Sequence, residues 1–376
     1  MKLDNPFPEY GYFGPEYFCD REQETEELAE ALLNGSNVTL MAPRRIGKTG
    51  LIHHTFERMK ARDNRLQCFY VDIFPTKSFN QMVQLVANAV VGRLDSPSQA
   101  VRRRLANFVS ALRPTMTNDP MTGMPTFSFN IAPESANQSL QQVFDYMKES
   151  EQRCFLAFDE FQQVSRYTEI GADAFIRSLI QFIPNVRFIF SGSQQHLLAD
   201  MFMSAEHPFF NSSQIMVLRE IAPEKYLRFA NKFFQRQGRV MPDEAFLYIY
   251  NKVDGQTWYL QKILNRLYRT PEGSLDRKAA DDAINRIIGE QEINYQNSYN
   301  LLTGNQANLL TAIAKEGAVS SPTAQDFIMR HRLPAPSSIK QALRSLLDKE
   351  FVFQTPSHSY IVYDRFFALW LKRLAG

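Results

Sequence analysis

The feature that most constrains the fold is a short apolar segment that leads straight into a glycine-lysine-threonine sequence. Residues 37–41 (NVTLM) have the composition of a buried strand, and a helical pattern begins at Lys48. Residues 42–49 (APRRIGKT) connect the two. Strand, loop and helix in this order predict a phosphate-binding loop, or P-loop, because backbone N–H groups and the helix N-terminus can surround phosphates. A chance Gly-Lys-Thr at a helix start is the alternative, and the flanking elements argue against it.

Individual residues of this loop have separate expected roles. Lys48 would neutralise the β and γ phosphates, the Thr49 hydroxyl would complete a Mg²⁺ shell, and Gly47 would let the backbone approach closely. The consensus begins with glycine, but here that position is Ala42. Alanine in a left-handed conformation would cost roughly 1–3 kcal/mol, so we expect no positive φ there. The predicted nucleotide-binding residues of the loop are Pro43, Arg44, Arg45, Ile46, Gly47, Lys48, Thr49 and Gly50, of which Lys48 is also predicted to be catalytic.

A second motif lies about 110 residues after the loop. Residues 154–158 (CFLAF) are apolar and end in the acidic pair Asp159 and Glu160, which is a Walker B pattern. At the carboxyl end of a buried strand, Asp159 would bind Mg²⁺ or its waters, and Glu160 would orient and polarise the attacking water. A strand end with two solvated acids is the alternative. The P-loop upstream favours the catalytic interpretation, and the Asp-Glu pair favours hydrolysis over binding alone.

The first 220 or so residues alternate between strand and helix patterns, which predicts an α/β fold with an open parallel sheet covered by helices on both faces. Residues 113–134 contain turn-forming residues without periodicity and predict an irregular insertion or mobile loop. Ser191 and Ser193 follow a strand, where either could contact a γ-phosphate or simply form a turn. The other predicted strands are 68–72, 154–158, 186–190 and 215–218, with helices over 48–58 and 79–94.

Composition excludes several classes of protein. The 42 Lys and Arg against 40 Asp and Glu leave a net charge of +2, which argues against an all-over nucleic-acid coat and against an acidic solvating protein. Three cysteines lie far apart, so we expect neither a disulfide framework nor a zinc site. The longest apolar run is six residues, 366–371, and no signal-like segment opens the sequence. We therefore expect a cytoplasmic protein without a membrane partner.

The C-terminal part of the chain has a different pattern. Residues 223–296 are wholly helical, and residues from 301 onward predict a winged helix. Its predicted helices cover 305–315, 323–331 and 337–348, the last capped by Ser337, and its hairpin pairs 351–353 with 360–363. The predicted domains are a P-loop ATPase domain over 1–219, a helical lid over 220–298 and a winged helix over 299–376.

The predicted winged helix carries a local positive charge. Residues 301–376 contain nine Lys and Arg against five Asp and Glu, a net of +4. Its third helix exposes Lys340, Gln341 and Arg344, which are residue types that contact phosphates and base edges of duplex DNA. Winged helices also bind proteins, and a Lys-Arg pair four residues apart can simply solvate a helix face. The sequence leaves duplex DNA and a protein partner both open.

Four landmarks together resemble a family of archaeal and bacterial P-loop ATPases, an AAA+-like branch related to the STAND NTPases. They are 18–22 (FCDRE), 43–49 (PRRIGKT), 188–193 (FIFSGS) and 363–371 (YDRFFALWL). The resemblance spans essentially the whole chain. It implies an AAA+-like fold with a lid and a winged helix, ATP or ADP with Mg²⁺ as ligands, and possible oligomerisation. It also places the first landmark near the adenine, which adds Asp20 and Arg21 to the predicted nucleotide-binding residues, with Ser191 for the sensor strand.

Two departures from the family pattern bear on the rate of hydrolysis. A Gly-x-Pro turn of the lid, which lies close to the nucleotide in the family, has threonine at 257. Residues 206–211 contain no arginine, although one is common there, so an arginine finger would come from Arg219 or a neighbouring subunit. Such fingers are worth about 10³–10⁵ in rate, so a slow switch is expected without one. Lys262 and Arg266 of the lid could sense the γ-phosphate or form a solvated helix face.

The sequence as a whole predicts a Mg²⁺-dependent ATPase in which ATP drives a conformational switch coupled to the winged helix. The alternative is a DNA-binding transcriptional regulator in which ATP is a structural ligand and is hydrolysed negligibly. A P-loop kinase is a third class, and the Walker B pair and the winged helix argue against it.

Overall fold

The computed structural model describes residues 3–91, 93–94, 114–118, 125–150, 152–270, 272–355 and 357–374. It divides into two compact units. One consists of Gly11–Glu220, and the other combines the residues up to Tyr10 with those from Ile221 onward. The sequence places the first ten residues with the P-loop domain, whereas in the structure the described ones group with the C-terminal unit.

A parallel sheet forms the centre of the first unit. The strands of this unit are β1 (Val38–Met41), β2 (Gln67–Asp72), β3 (Pro114–Asn118), β4 (Pro125–Phe129), β5 (Cys154–Asp159), β6 (Val186–Gly192) and β7 (Gln214–Val217). The parallel sheet has the order β2-β5-β6-β1-β7, so the five strands predicted from apolar runs are confirmed. β1 and β5 are buried along their whole length, as strands between two helical layers must be.

Helices cover both faces of this sheet. They are α1 (Glu22–Leu33), α2 (Lys48–Arg62), α3 (Phe79–Val90), α4 (Ala136–Glu149), α5 (Ala172–Ile180) and α6 (Gln195–Met203). Alternate residues of β5 enter two separate cores, because successive side chains of a strand point to opposite faces. Phe155 and Ala157 pack with α1 and α2, whereas Leu156 and Phe158 pack with α3, α4 and α5. The P-loop and Walker B ends therefore lie on a rigid, doubly covered sheet.

The segment predicted to be an irregular insertion contains regular structure. β3 and β4 pair in antiparallel register, from Pro114 opposite Phe129 to Asn118 opposite Pro125. The prediction of irregularity over 113–134 is therefore wrong over 114–118 and 125–129, and residues 113 and 119–124 lie outside the described part. Threonine and phenylalanine have high β propensity, and the Gly, Pro and Asn signals obscured it. The helix predicted over 79–94 also ends earlier, at Val90.

The second unit begins with a helical region. Its helices are α7 (Pro223–Phe234), α8 (Asp243–Lys252), α9 (Thr257–Tyr268), α10 (Arg277–Glu290) and α11 (Glu292–Asn300). Phe7 is fully buried among the rings of Phe233, Phe234 and Tyr268. The Asn265 amide also donates to the Phe7 carbonyl at 2.8 Å. This packing fixes the N-terminal segment to the helical region.

A winged helix completes the second unit. Its elements are α12 (Gly304–Glu316), α13 (Gln325–His331), α14 (Pro336–Asp348), β8 (Val352–Gln354), β9 (Tyr360–Val362) and α15 (Arg365–Leu374). Strands β8 and β9 form the predicted hairpin, and Val319 makes a single antiparallel bridge to Tyr360. Ser337 does not cap α14, because the helix begins one residue earlier, with Ala335 at the N-cap and Pro336 in its first turn.

Two exclusions made from composition can be compared with the structure. All three cysteines are free, which confirms the expectation that they form no disulfide framework. In the described part of the chain, no helix combines the length and apolar character needed to cross a bilayer.

Candidate active site

The predicted P-loop lies between the end of β1 at Met41 and the start of α2 at Lys48. Gly47 has a φ of 101° and Arg45 a φ of 69°, so the loop turns twice through the left-handed region. A Cβ on Gly47 would have no atom within 4 Å, so this glycine serves the backbone conformation and leaves the space above the loop open. Ala42 is not among the residues with positive φ, which confirms the expectation drawn from its departure from glycine.

Lys48 is buried at the base of this loop. Its Nζ donates to the carbonyl oxygens of Ala42 at 3.0 Å and Pro43 at 3.1 Å. Burial lowers the pKa of the Lys48 ammonium, and the negative charges of Glu160 and Asp159 oppose that shift. A buried cation that donates to neutral carbonyls, with carboxylates nearby, is suited to bind an incoming phosphate anion.

Asp159 receives hydrogen bonds from three sides at the end of β5. Its Oδ2 accepts from the Thr49 hydroxyl at 2.7 Å and from the Tyr70 hydroxyl at 2.6 Å, while its Oδ1 accepts from the Glu160 N–H at 3.0 Å. The two predicted Mg²⁺ ligands, Thr49 and Asp159, therefore touch. One hydroxyl and one carboxylate beside a phosphate loop fit Mg²⁺, which takes few protein ligands and completes its shell with waters and phosphate oxygens.

Thr49 and Asp159 do not belong to a larger cluster of metal-binding side chains in the described part of the chain. Among the described residues, no group of three or more His, Cys, Asp and Glu side chains could hold a metal ion.

Tyr70 is a site residue that sequence reasoning missed. It lies on β2, whose register places it beside Ala157 of β5. Burial raises the pKa of Tyr70, and the negative charge of Asp159 raises it further, so the phenol stays protonated and donates. Only the pairing of β2 with β5 could have indicated this contact, because no motif marks Tyr70 in the sequence.

Glu160 has a left-handed backbone, with φ of 56°, and a carboxylate with one constrained oxygen. Its Oε2 accepts from the Ser193 hydroxyl at 2.7 Å, from the Ser193 N–H at 3.3 Å and from the Gln162 side-chain amide. No described residue donates a hydrogen bond to Oε1. Glu160 is therefore fixed through one oxygen, while the other is available to a water molecule.

The two serines considered for the sensor position behave differently. Ser193 contacts Glu160, whereas Ser191 is fully buried in β6 and its hydroxyl has no hydrogen-bond partner in the described part of the chain. The structure favours Ser193, directly after β6, over Ser191 as the serine that contacts the site. Arg44 extends the contact to the P-loop, since its Nε donates to the Ser193 Oγ at 3.2 Å and its guanidinium lies over Phe74.

Arg21 supports the loop from behind. It is only 3% exposed, and its guanidinium donates to Glu24 at 2.6 Å, to the Ile46 carbonyl and to the Arg219 carbonyl at 2.5 Å. Asp20, also at positive φ, precedes it. The Arg219 side chain, proposed as an arginine finger, is exposed, and within the described residues it makes no hydrogen bond or ion pair.

An aromatic cluster lies along α2 next to the site. Phe18 stacks on His54 at 4.5 Å, and the His53 ring lies 4.6 Å from that of Tyr70. A Cβ on Gly50 would lie 3.0 Å from the Phe18 ring. Gly50, predicted to bind nucleotide, thus has a packing role that explains its lack of a side chain.

Other predicted residues lie in the second unit. The Lys262 ammonium pairs with Glu9 at 3.3 Å and lies over Trp258, and Arg266 pairs with Glu290. Both are therefore engaged in ion pairs rather than forming the freely solvated face considered from the sequence. The residues proposed for DNA are all exposed on α14, namely Lys340, Gln341 and Arg344.

Fold and site together define a P-loop ATPase followed by a winged helix. The chain belongs to the family described as an ATPase domain predominantly from Archaea, whose model matches residues 18–263. A second family model, described as a probable winged helix domain, matches residues 293–373. These matches confirm the resemblance to an archaeal-type P-loop ATPase family with a C-terminal winged helix. The comparison with curated proteins finds no match for this chain.

Several solved structures share the fold over nearly their full length. A Walker-type ATPase of Pyrococcus abyssi has 16% identity and a TM-score of 0.63, with 98% of this chain and 99% of that chain covered. The ORC2 protein of Aeropyrum pernix, solved as ADPNP-ADP complexes, has 16% identity, a TM-score of 0.59 and coverage of 99% and 98%. The ORC1 protein of the same organism, solved in complex with DNA, has 14% identity, a TM-score of 0.55 and coverage of 98% and 96%. At these identities the likeness shows the fold alone.

Proposed function

We propose that the protein is a Mg²⁺-dependent ATPase whose nucleotide state is transmitted to its winged helix. The observation that carries this proposal is the meeting of both motifs at one edge of the sheet. Thr49 of the P-loop helix touches Asp159 of the Walker B strand, and Lys48 and Glu160 flank them. The ADPNP and ADP bound to the ORC2 protein of A. pernix support ATP as the ligand.

Each residue then has a defined task. Backbone N–H groups of the loop and the Lys48 ammonium would bind the β and γ phosphates. Thr49 and Asp159 would hold Mg²⁺, which would neutralise part of the phosphate charge. The Glu160 Oε1, to which no described residue donates, would accept a hydrogen bond from the attacking water and orient it. Because hydrogen bonds hold Oε2, the position of Oε1 is also fixed, and the water that it binds is oriented in the same way each time.

Hydrolysis is tested by following phosphate release from ATP in the presence of Mg²⁺ and after its removal with EDTA. We expect slow turnover with Mg²⁺, because residues 206–211 contain no arginine that could serve as a finger. We expect no turnover after chelation, because Thr49 and Asp159 would then hold no metal. A rate that is independent of Mg²⁺ would contradict the assignment of Thr49 and Asp159. Acceleration at high protein concentration would favour an arginine finger from a second copy.

Coupling to the winged helix has a physical connection within the second unit. Arg365, the first residue of α15, pairs with Asp254 at 3.0 Å, and its N–H donates to the Tyr259 hydroxyl at 3.1 Å. Asp254 and Gly255 both have positive φ and form the turn before α9. This is the turn that the family resemblance places close to the nucleotide. A shift of this turn between ATP and ADP states would therefore act directly on the winged helix.

Duplex DNA is the partner that we propose for the winged helix. Lys340, Gln341 and Arg344 are exposed on α14, and the DNA complex of the A. pernix ORC1 protein supports this choice for a chain of similar fold. In a salt titration, binding should weaken by several orders of magnitude between ~50 and ~200 mM salt if many phosphates are contacted. No binding at low salt would favour a protein partner, which a pull-down with ATP-loaded Glu160→Gln protein would capture.

The alternative function keeps the same ligands but removes turnover. A DNA-binding transcriptional regulator with structural ATP would bind duplex DNA and ATP without releasing phosphate. The proposal of an ATPase therefore depends on hydrolysis, and the proposal of DNA binding does not.

A further inference from the structure

We propose that Gln162 is a positioning residue that holds the catalytic base Glu160 in its working orientation. This inference rests on the proposed ATPase function. Gln162 is in the turn of 3₁₀ helix directly after the Walker B strand, Phe161–Arg166. Neither motif includes it, and the apolar strand pattern ends at Asp159, so no periodicity reaches Gln162 to predict a contact with Glu160.

Burial and hydrogen bonding both connect Gln162 to Glu160. The residue is only 3% exposed, although glutamine is usually at the surface. Its side-chain Nε2 donates to the Glu160 Oε2, and its Oε1 has no hydrogen-bond partner in the described part of the chain. A buried amide is costly unless it is hydrogen-bonded, so the bond to Glu160 is the interaction that retains this side chain in place.

Gly192 shows that space is reserved for the amide. A Cβ at this position would lie 2.1 Å from the Gln162 Oε1 and 2.2 Å from a methyl carbon of Leu198. Gly192 does not have a positive φ, so its backbone conformation does not require glycine. The missing side chain instead leaves room for the Gln162 amide and for the Leu198 methyl. A larger residue at 192 would therefore displace the amide from its place beside Glu160.

Gln162 and Ser193 act on the same oxygen of Glu160. Ser193 donates to this oxygen twice, from its hydroxyl and from its N–H, and Gln162 adds a third donor from a different segment. Without the Gln162 amide, the carboxylate would be held by Ser193 alone and could turn, which would misdirect a water bound at Oε1. A misplacement of about 1 Å can reduce a catalysed rate by about 10²-fold, which sets the scale of the effect expected here.

The test compares Gln162→Leu with Gln163→Leu under single-turnover conditions, with the ATP dissociation constant measured separately. Gln163 is a matched control, because it lies in the same turn and its Nε2 donates to the Thr76 carbonyl at 2.7 Å, away from Glu160. We expect Gln162→Leu to lower the hydrolysis rate by about 10-fold to 100-fold while ATP affinity stays within about twofold of wild type. Gln163→Leu should hydrolyse ATP at the wild-type rate. A wild-type rate in Gln162→Leu would overturn the inference.

Two further variants separate positioning from folding. Gln162→Glu keeps the shape of the side chain but places a carboxylate against Glu160, so its rate should also fall; a wild-type rate would overturn the inference. In a Glu160→Gln background, Gln162→Leu should cause no additional loss, because it acts through Glu160. A full additional loss there would show an independent role and overturn the inference. A wild-type protein that binds ATP and releases no phosphate would overturn the proposed function itself. That outcome is distinct from equal, measurable hydrolysis rates in Gln162→Leu and wild type, which would overturn only this inference.

Discussion

The basic residues around the P-loop and those exposed on α14 of the winged helix differ in what holds them. In the P-loop unit, Lys48, Arg21 and Arg44 are each directed by hydrogen bonds to carbonyls or side chains around the site. In the winged helix, Lys340 and Arg344 extend into solvent from α14. A cation in a fixed place has a chemical role that can be read from its neighbours. An exposed cation shows only that the surface attracts negative charge.

The largest effect is expected at the most constrained cation. Lys48→Ala should reduce ATP affinity by about 100-fold or more, because it removes a buried positive charge at the base of the loop. The same change should leave stability without ligand close to wild type, since burial already disfavours this charge. Calorimetric titration and thermal melting measure both. Lys60→Ala, an exposed residue of the same helix, is the control. Unchanged ATP affinity in Lys48→Ala would contradict the site.

The exposed cations provide the opposite case. Replacing Lys340 and Arg344 by alanine should weaken duplex binding by roughly tenfold in total, and almost equally for all sequences. The slope of log affinity against log salt should fall by about one for each DNA phosphate that the variant no longer neutralises. Anisotropy titrations at several salt concentrations measure it, with Lys278→Ala as a control on α10. If the double variant binds as wild type, α14 is not the DNA-contacting surface.

A smaller effect is expected at Tyr70, which is also held by a hydrogen bond at the site but carries no charge. Tyr70→Phe removes one of the donors to Asp159 and should cost about 1 kcal/mol of stability. The Thr49 hydroxyl remains, so hydrolysis should persist with an apparent Mg²⁺ affinity changed by only a few-fold. Urea unfolding and a Mg²⁺ titration of the rate measure both. Abolished hydrolysis would show that Tyr70 has a direct role in the reaction.

The smallest effect concerns pH. Burial lowers the pKa of His53 and of His54, so the unfolded chain binds protons more readily than the folded unit at these positions. Asp159 and Glu57 oppose the respective shifts, and Arg58 adds to that of His54. The contribution of these two histidines to the free energy of unfolding should therefore be fully present above about pH 6.5, and it should be lost as the pH falls below that value. Unfolding midpoints at about pH 7.5 and 5.5 should differ less in His53→Gln/His54→Gln than in wild type. An equal pH dependence would assign the effect elsewhere.

The parts of the molecule predicted from sequence are those in which a motif and a periodicity agree. The strand before Ala42 and the strand before Asp159 have near-continuous apolar residues, and each ends at its motif. Contacts that depend on strand register or on a tight turn were missed, as with Tyr70 and Gln162, because neighbours in space are distant or irregular in sequence. The position of Phe7 was missed for the same reason. Its partners follow more than 220 residues later.

Charges on helices were hardest to interpret. Lys262 and Arg266 have the spacing of a solvated face, yet each has a carboxylate partner on another segment, Glu9 and Glu290. A helical pattern gives the face of a residue but not the side chain opposite it. Sequence also does not show hydrogen-bond partners, so Ser191 and Ser193 were equal candidates for the site. In the structure, Ser193 contacts Glu160 and Ser191 does not.

The central claim is that Lys48 and Glu160 belong to one site, in which Lys48 is needed to bind ATP and Glu160 is needed to hydrolyse it. The most direct test is single-turnover ATP hydrolysis by wild type and Glu160→Gln, with ATP affinity measured on the same preparations. We predict equal affinity and a rate lower by about 10²-fold or more in Glu160→Gln. Equal, measurable rates would contradict the role of Glu160. Equal rates near zero, with ATP bound by both, would contradict the ATPase and support the regulator with structural ATP.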